Sequence, residues 1–179
     1  NTTEAHNRAW LQTWRVSRAW RENDMNYLVA YDSQYGNTER IAQEIGEALS
    51  ALGRTQIRRV GSISPEMLTD ADMLFIGCPT QAWHSTTATQ SFLQSASAER
   101  LRRMRIACFD TRFQKPRWIT GSAAKDMEKR LREEGVALSA EPESFFVGHE
   151  EGPLLNGELE RAKTWAMGVA REIAAHPVG

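Results

Sequence analysis

The sequence predicts an α/β fold in three layers, a doubly wound sheet of five parallel strands between two layers of helices, with a helical extension ahead of it. Three observations carry that prediction. Strand-like runs recur at Tyr27–Tyr31, Thr55–Val60, Asp72–Cys78, Arg105–Asp110 and Glu143–Gly148. Most are unbroken apolar runs rather than alternating ones, the pattern of strands buried on both faces. The stretches between them switch to helical spacing, and consecutive parallel strands require such right-handed crossovers.

Residues 1–24 differ in texture from the rest, with three tryptophans and four arginines. Trp10, Leu11 and Trp14 share one helical face, so a short amphipathic helix is expected. Three readings stay open: a helix packed on the domain's own surface, a helix through which the chain forms a homodimer or binds a partner, or Met25 as the natural start. The chain is therefore divided into an extension, 1–24, and a domain, 25–179.

The domain opens on Tyr27–Leu52. Tyr27–Tyr31 is the first strand, Asp32–Gly36 a turn, and from Asn37 the residues Ile41, Ile45, Ala48, Leu49 and Leu52 fall on one helical face. Gly53 is read as the left-handed cap that ends the helix. A strand, a tight turn and a free helix N-terminus make an anion site, because unpaired N–H groups and the positive end of the dipole converge there. Phosphate is the natural ligand.

Thr55–Val60 reads as a polar edge strand. Asp72–Cys78 is the most hydrophobic run and the expected central strand, closed by Pro79. A loop, Gln81–Thr87, and a helix over Thr87–Ser97 follow. Arg105–Asp110 is the fourth strand; its loop, Thr111–Thr120, is too long for a minimal connection and is expected to bind something. A helix over Ser122–Glu134 stops at Gly135, Glu143–Gly148 is the fifth strand, and Asn156 is expected to cap a last helix bearing Leu159, Ala162, Trp165, Ala166, Val169 and Ile173. In such sheets ligands sit outside the carboxyl ends of the strands. Ser33–Thr38, Pro79–Ser85 and Thr111–Trp118 should therefore form one pocket.

Composition narrows the classes. Twenty-two Lys and Arg stand against 23 Asp and Glu, a net charge of −1 that gives no field to draw in nucleic acid or anionic lipid. Cys78 and Cys108 lie inside strand-like runs and read as buried thiols, and no metal-ligand spacing occurs. The histidines are scattered, there is no Gly-x-Ser-x-Gly elbow, and no catalytic residue is assigned. The arginine-rich run Arg100–Arg105 reads as a solvated face. Without a spanning or signal segment, the chain is read as cytoplasmic.

The string Tyr31-Asp32-Ser33-Gln34-Tyr35-Gly36-Asn37-Thr38 resembles the phosphate loop of the flavodoxin-like family, Ser/Thr-x-x-Gly-Asn-Thr between a strand and a helix, and Gly77-Cys78-Pro79-Thr80 is similar to that family's second flavin loop. The resemblance runs from about Met25 to the end. It implies strand order 2-1-3-4-5 and bound FMN, with Ser33, Gln34, Tyr35, Gly36, Asn37 and Thr38 holding the phosphate. Pro79, Thr80, Gln81, Ala82 and Trp83 would form the second loop, and Thr111, Arg112, Phe113 and Trp118 the third. The ring loops depart from the family. Gln81 stands where an aromatic is usual, and Arg112, Lys115 and Arg117 replace an acidic run. Trp83 is the expected stacking residue in the second loop, Trp118 or Phe113 the ring neighbour in the third. A cation such as Arg112 near the flavin would favour the reduced anion, giving a flavin less suited to very low potential.

The resemblance leaves three functions open: an FMN-binding electron-transfer protein, an FMN-dependent oxidoreductase moving electrons from NAD(P)H to a quinone-like acceptor, and a binding module that has lost FMN. The expected partner is a redox protein or a small electron acceptor, with no nucleic acid or membrane.

Overall fold

The computed structural model describes residues 25–175. The expected helix in 1–24, and the dimer built on it, lie outside the described residues.

Five strands, β1 (Met25–Tyr31), β2 (Gly53–Arg59), β3 (Met73–Pro79), β4 (Arg105–Phe113) and β5 (Glu143–Val147), form one parallel sheet in the order β2-β1-β3-β4-β5. The helices are α1 (Asn37–Ser50), α2 (Pro65–Asp70), α3 (Thr87–Ser95), α4 (Ala98–Arg103), α5 (Arg117–Thr120), α6 (Ala123–Glu133) and α7 (Glu158–Ala175). This is the doubly wound three-layer arrangement the strand pattern predicts.

Alternation along each strand feeds two cores. Val29, Phe75 and Phe109 meet Ile41 and Ile45 of α1 and Ala162, Ala166 and Val169 of α7. Leu28, Leu74, Ile76 and Cys108 face the other way, onto Phe92 and Leu93 of α3 and Met127 and Leu131 of α6. Each fully buried Leu, Ile or Phe contributes about 1.5–3 kcal/mol of transfer free energy. Trp165 fills the first core edge-on against Phe75, with ring centres 5.5 Å apart at 87°, the geometry that sets the positive edge of one ring on the negative face of another. On β2, at the sheet edge, Arg58 and Arg59 are exposed, and such charges discourage pairing with another chain.

Several local expectations change. Gly53 does not cap α1: it is the first residue of β2, and a Cβ there would lie 2.3 Å from the Met25 carbonyl oxygen. Its missing side chain lets two strands approach. Gly135 does end α6, at φ 72, with Val136 N–H donating to the Leu131 carbonyl (2.8 Å) and Gly135 N–H to that of Arg132 (3.0 Å), the paired bonds of a Schellman stop. The helix expected over Thr87–Ser97 breaks at Ala96, and Ser97 caps a separate helix, α4. Gly157, not Asn156, precedes α7, its carbonyl accepting from Arg161 N–H at 2.9 Å.

The arginine-rich run is more than a solvated face. Arg100 donates to the carbonyls of Leu68, Thr69 and Ala71 behind α2, and Arg102 to that of Glu134 behind α6. Two guanidinium groups thus satisfy orphan carbonyls at helix C-termini and sit at the negative ends of their dipoles.

Candidate functional site

The carboxyl ends of β1, β3 and β4 open on a cleft of about 560 Å³. Its first wall is the turn from Ser33 into α1. Gly36 takes the N-cap position at φ 84, and no side chain caps the helix. Four other helices are closed by a hydroxyl: α2 by Ser64, α3 by Thr86, α4 by Ser97 and α6 by Ser122. At α1 the residues that resemble caps are engaged elsewhere. Asn37 donates from its amide to the Glu151 carbonyl (3.0 Å), and Thr38 shares a 2.8 Å hydrogen bond with Thr111 on β4. Ser33 Oγ accepts from Gly36 N–H at 3.0 Å, curling the turn that leads into α1, whose positive end, with its first N–H groups lacking intrahelical partners, suits an anion. Nothing lies within 4 Å of a Cβ built on Gly36. Glycine is required there for its positive φ rather than to relieve crowding by the protein.

The second wall is a hairpin turn. Gln81 and His84 exchange both backbone hydrogen bonds, at 3.0 and 2.9 Å, and the two central residues, Ala82 and Trp83, have φ 45 and 70. Left-handed backbone at two residues that carry a Cβ costs roughly 1–2 kcal/mol each. The turn is held in place from several sides. Gln81 donates from its amide to the Gln34 side-chain carbonyl (2.6 Å), tying the first two loops together. Asp126 on α6 accepts from Ser85 N–H (3.0 Å) and Ser85 Oγ (2.6 Å), and its other oxygen is 3.3 Å from His84 Nδ1. Partial burial raises the Asp126 pKa, but the bonds from Ser85, Arg130 and His84 outweigh it and hold the carboxyl at about 2. The strained turn leaves Trp83 at the cleft mouth, 56 % exposed.

The third wall comes from β4. Asp110 is fully buried; one carboxylate oxygen accepts from Ser122 Oγ (2.6 Å), Ala124 N–H (3.0 Å) and Thr80 Oγ1 (3.2 Å). It joins the second loop to the start of α6. Burial pushes its pKa up, against the bonds from Ser122 and Ala124 and the charge of Arg112. Arg112 is buried as well, Nε donating to Ser144 Oγ (3.0 Å) and Nη1 to the carbonyls of Lys115 (2.7 Å) and Phe113 (3.2 Å). It lines the cleft but is not the free cation expected. Its charge lies 4.0 Å from Asp110 and its guanidinium props up the loop.

Of the expected site residues, Ser33, Gln34, Tyr35, Asn37 and Thr38, then Pro79 through Trp83, and Thr111, Arg112 and Phe113 line this one cleft. Gly36 is not among the lining residues; it sits at the N-cap of α1, in the turn that forms the first wall. Trp118 does not line it: α5 turns the residue outward, 81 % exposed. Thr111–Phe113 belong to β4 rather than to a loop, because the strand pairs with β5 as far as Phe113. The lining also includes Lys115, Ile119, Thr120, Val147 and Glu150, of which the last two lie at and beyond the end of β5. Their signal was the rule that every strand's carboxyl end can contribute; Glu150, two residues after Gly148, sits there. Among the described residues no group of three or more His, Cys, Asp or Glu could hold a metal, and no helix is long and apolar enough to cross a membrane.

A parallel sheet in the order 2-1-3-4-5, with a cleft at the carboxyl ends of its central strands, defines the doubly wound α/β class, whose ligands sit at that position. A family model described as flavodoxin domain matches residues 28–151, and the chain belongs to that family. Among solved structures the chain is similar to a flavodoxin from the domain Archaea (TM-score 0.70, 19 % identity, covering 85 % of this chain and 100 % of that one). It is also similar to oxidised Flavodoxin 2 from Bacillus cereus (0.63, 22 % identity, 82 % and 99 %). Rubredoxin oxygen:oxidoreductase from Desulfovibrio gigas matches at 0.66 with 17 % identity, over 87 % of this chain but 37 % of its own. At these identities the likeness is one of fold. No curated protein sequence matches the chain.

Proposed function

We propose that the cleft binds FMN and that the domain serves as an electron-transfer protein. The observation that supports this is the start of α1: four other helices carry a Ser or Thr cap, whereas this one has no side-chain cap, and Ser33, Asn37 and Thr38 around it line the cleft. Such a helix start suits a phosphate dianion without a lysine, since several N–H donors and the helix dipole act together. The volume is within the range of cofactor clefts, and Pro79, Ala82, Trp83 and Phe113 supply apolar surface beside the polar turn.

In this reading Ser33, Thr38 and the N–H groups of Gln34–Thr38 hold the phosphate. Trp83 and Phe113 shield the ring from water on the sides they occupy. The Gln34–Gln81 bond sets the spacing between the phosphate turn and the second loop. Asp110, through Thr80 and Ser122, fixes where that loop leaves β3. When bound, FMN supplies reversible uptake and release of electrons, which no side chain here provides. Arg112, balanced by Asp110 at 4.0 Å, favours negative charge in the cleft less than a free cation would. The test is an absorption spectrum of the purified chain after incubation with FMN and gel filtration. A flavin spectrum, with FMN released on denaturation, is the expected result; a colourless protein that ignores added FMN would leave a binding module without flavin.

A further inference from the structure

We propose that the 113–119 segment is a docking element for an acidic redox protein, with Trp118 and Arg117 as its anchors. The inference rests on the flavin reading for the partner's being a redox protein, but its surface argument does not. Every residue from Phe113 to Ile119 is exposed. Phe113 is 37 %, Trp118 81 % and Ile119 41 % exposed, an unusual run of large apolar side chains in solvent. The segment is nevertheless held from beneath. Arg112, buried, donates to the carbonyls of Phe113 and Lys115 and to Thr120 Oγ1. Its backbone is thus ordered before any partner arrives, which lowers the entropy cost of association.

The charge of the segment has one sign. From Thr111 to Lys125 the sequence has no carboxylate, and among the described residues neither Lys115 nor Arg117 has an ion pair. Arg117 lies near enough to oppose the charge on Arg112. Among the described residues Glu150 is the one carboxylate lining the cleft. Phe113, Lys115 and Ile119 form part of the cleft wall while Arg117 and Trp118 do not, so a partner seated on the outer side lies one side chain from the cleft. An exposed Trp and Arg beside uncompensated positive charge fit a partner with an apolar dimple ringed by carboxylates.

The test uses the full chain with two protein probes, an acidic plant-type [2Fe–2S] ferredoxin and basic cytochrome c, and reads binding by thermophoresis, which needs no flavin. The ferredoxin is expected to bind more tightly, with affinity falling as salt is added. Arg117→Glu and Trp118→Ala, neither lining the cleft, are each expected to weaken that binding about tenfold. Circular dichroism checks that each variant is folded, and Arg117→Lys, which keeps the charge, should restore most of the affinity. Tighter binding of cytochrome c, or ferredoxin binding that is absent or indifferent to both substitutions, would overturn the docking element. Loss of FMN binding with ferredoxin binding retained would overturn the flavin reading instead.

Discussion

Asp126→Asn tests how the second loop is held over the cleft. The carboxylate takes two bonds from Ser85, one from Arg130 Nε at 3.0 Å and a contact from His84. These bring its pKa from 3.8 to about 2 despite partial burial. At about 1.4 kcal/mol per pKa unit the shift corresponds to roughly 2 kcal/mol, and solvent screening at a carboxylate that is not fully enclosed reduces this to about 1 kcal/mol. The folded pKa is depressed, so the stabilisation is fully present above the unfolded value and is lost as pH falls through the folded one. Asn cannot carry the charge, and at neutral pH the variant should melt about 2–4 °C lower. Thermal melts of both proteins from pH 7 downward are the assay. The gap should hold to about pH 5, shrink by roughly half at pH 3 and close near pH 2. A gap of constant size from pH 7 to pH 3 would refute the electrostatic origin and leave only packing.

Three further outcomes are expected. Gly36→Ala meets no neighbouring atom within 4 Å but forces a Cβ residue to φ 84, so urea unfolding should show a loss of about 1–2 kcal/mol, with weaker FMN binding in a fluorescence titration. Thr38→Val leaves the Thr111 hydroxyl buried without its 2.8 Å partner and should cost about 1–2 kcal/mol, whereas Thr38→Val with Thr111→Val should recover part of that loss. Cys78, pushed up to about 12 by burial, and Cys108, pushed higher for the same reason, should resist iodoacetamide in the native protein and be alkylated in urea, as read by mass spectrometry.

The parts of this protein that were legible in its sequence are those governed by short-range patterns. Apolar runs such as Met73–Cys78 marked the central strands, helical spacing marked α1 and α7, and Ser33–Thr38 marked the turn from β1 into α1. What was not legible depends on contacts distant in sequence. Gly53 looks like a helix cap until the Met25 carbonyl is seen 2.3 Å from its missing Cβ. Arg112 reads as a cation beside a ligand, but Ser144 on the neighbouring strand β5, together with Asp110 two residues back on its own strand, draws it inward. Trp118 is a ring neighbour by resemblance to the family, yet the extra strand residues and the turn of α5 carry it outward. Ala82 and Trp83 carry no local signal for the left-handed turn they adopt; it is imposed by the Gln81–His84 pairing and by the Ser85–Asp126 anchor.

The central claim is that the turn at Ser33–Thr38 grips a phosphate, and a parallel titration of the full chain with FMN and with riboflavin tests it most directly. The two ligands share the ring and differ at the phosphate. With several N–H donors and a helix dipole on that group, FMN should bind at least about a hundredfold more tightly, a difference of roughly 3 kcal/mol. Equal affinities would contradict the account by placing the binding energy in the ring walls alone.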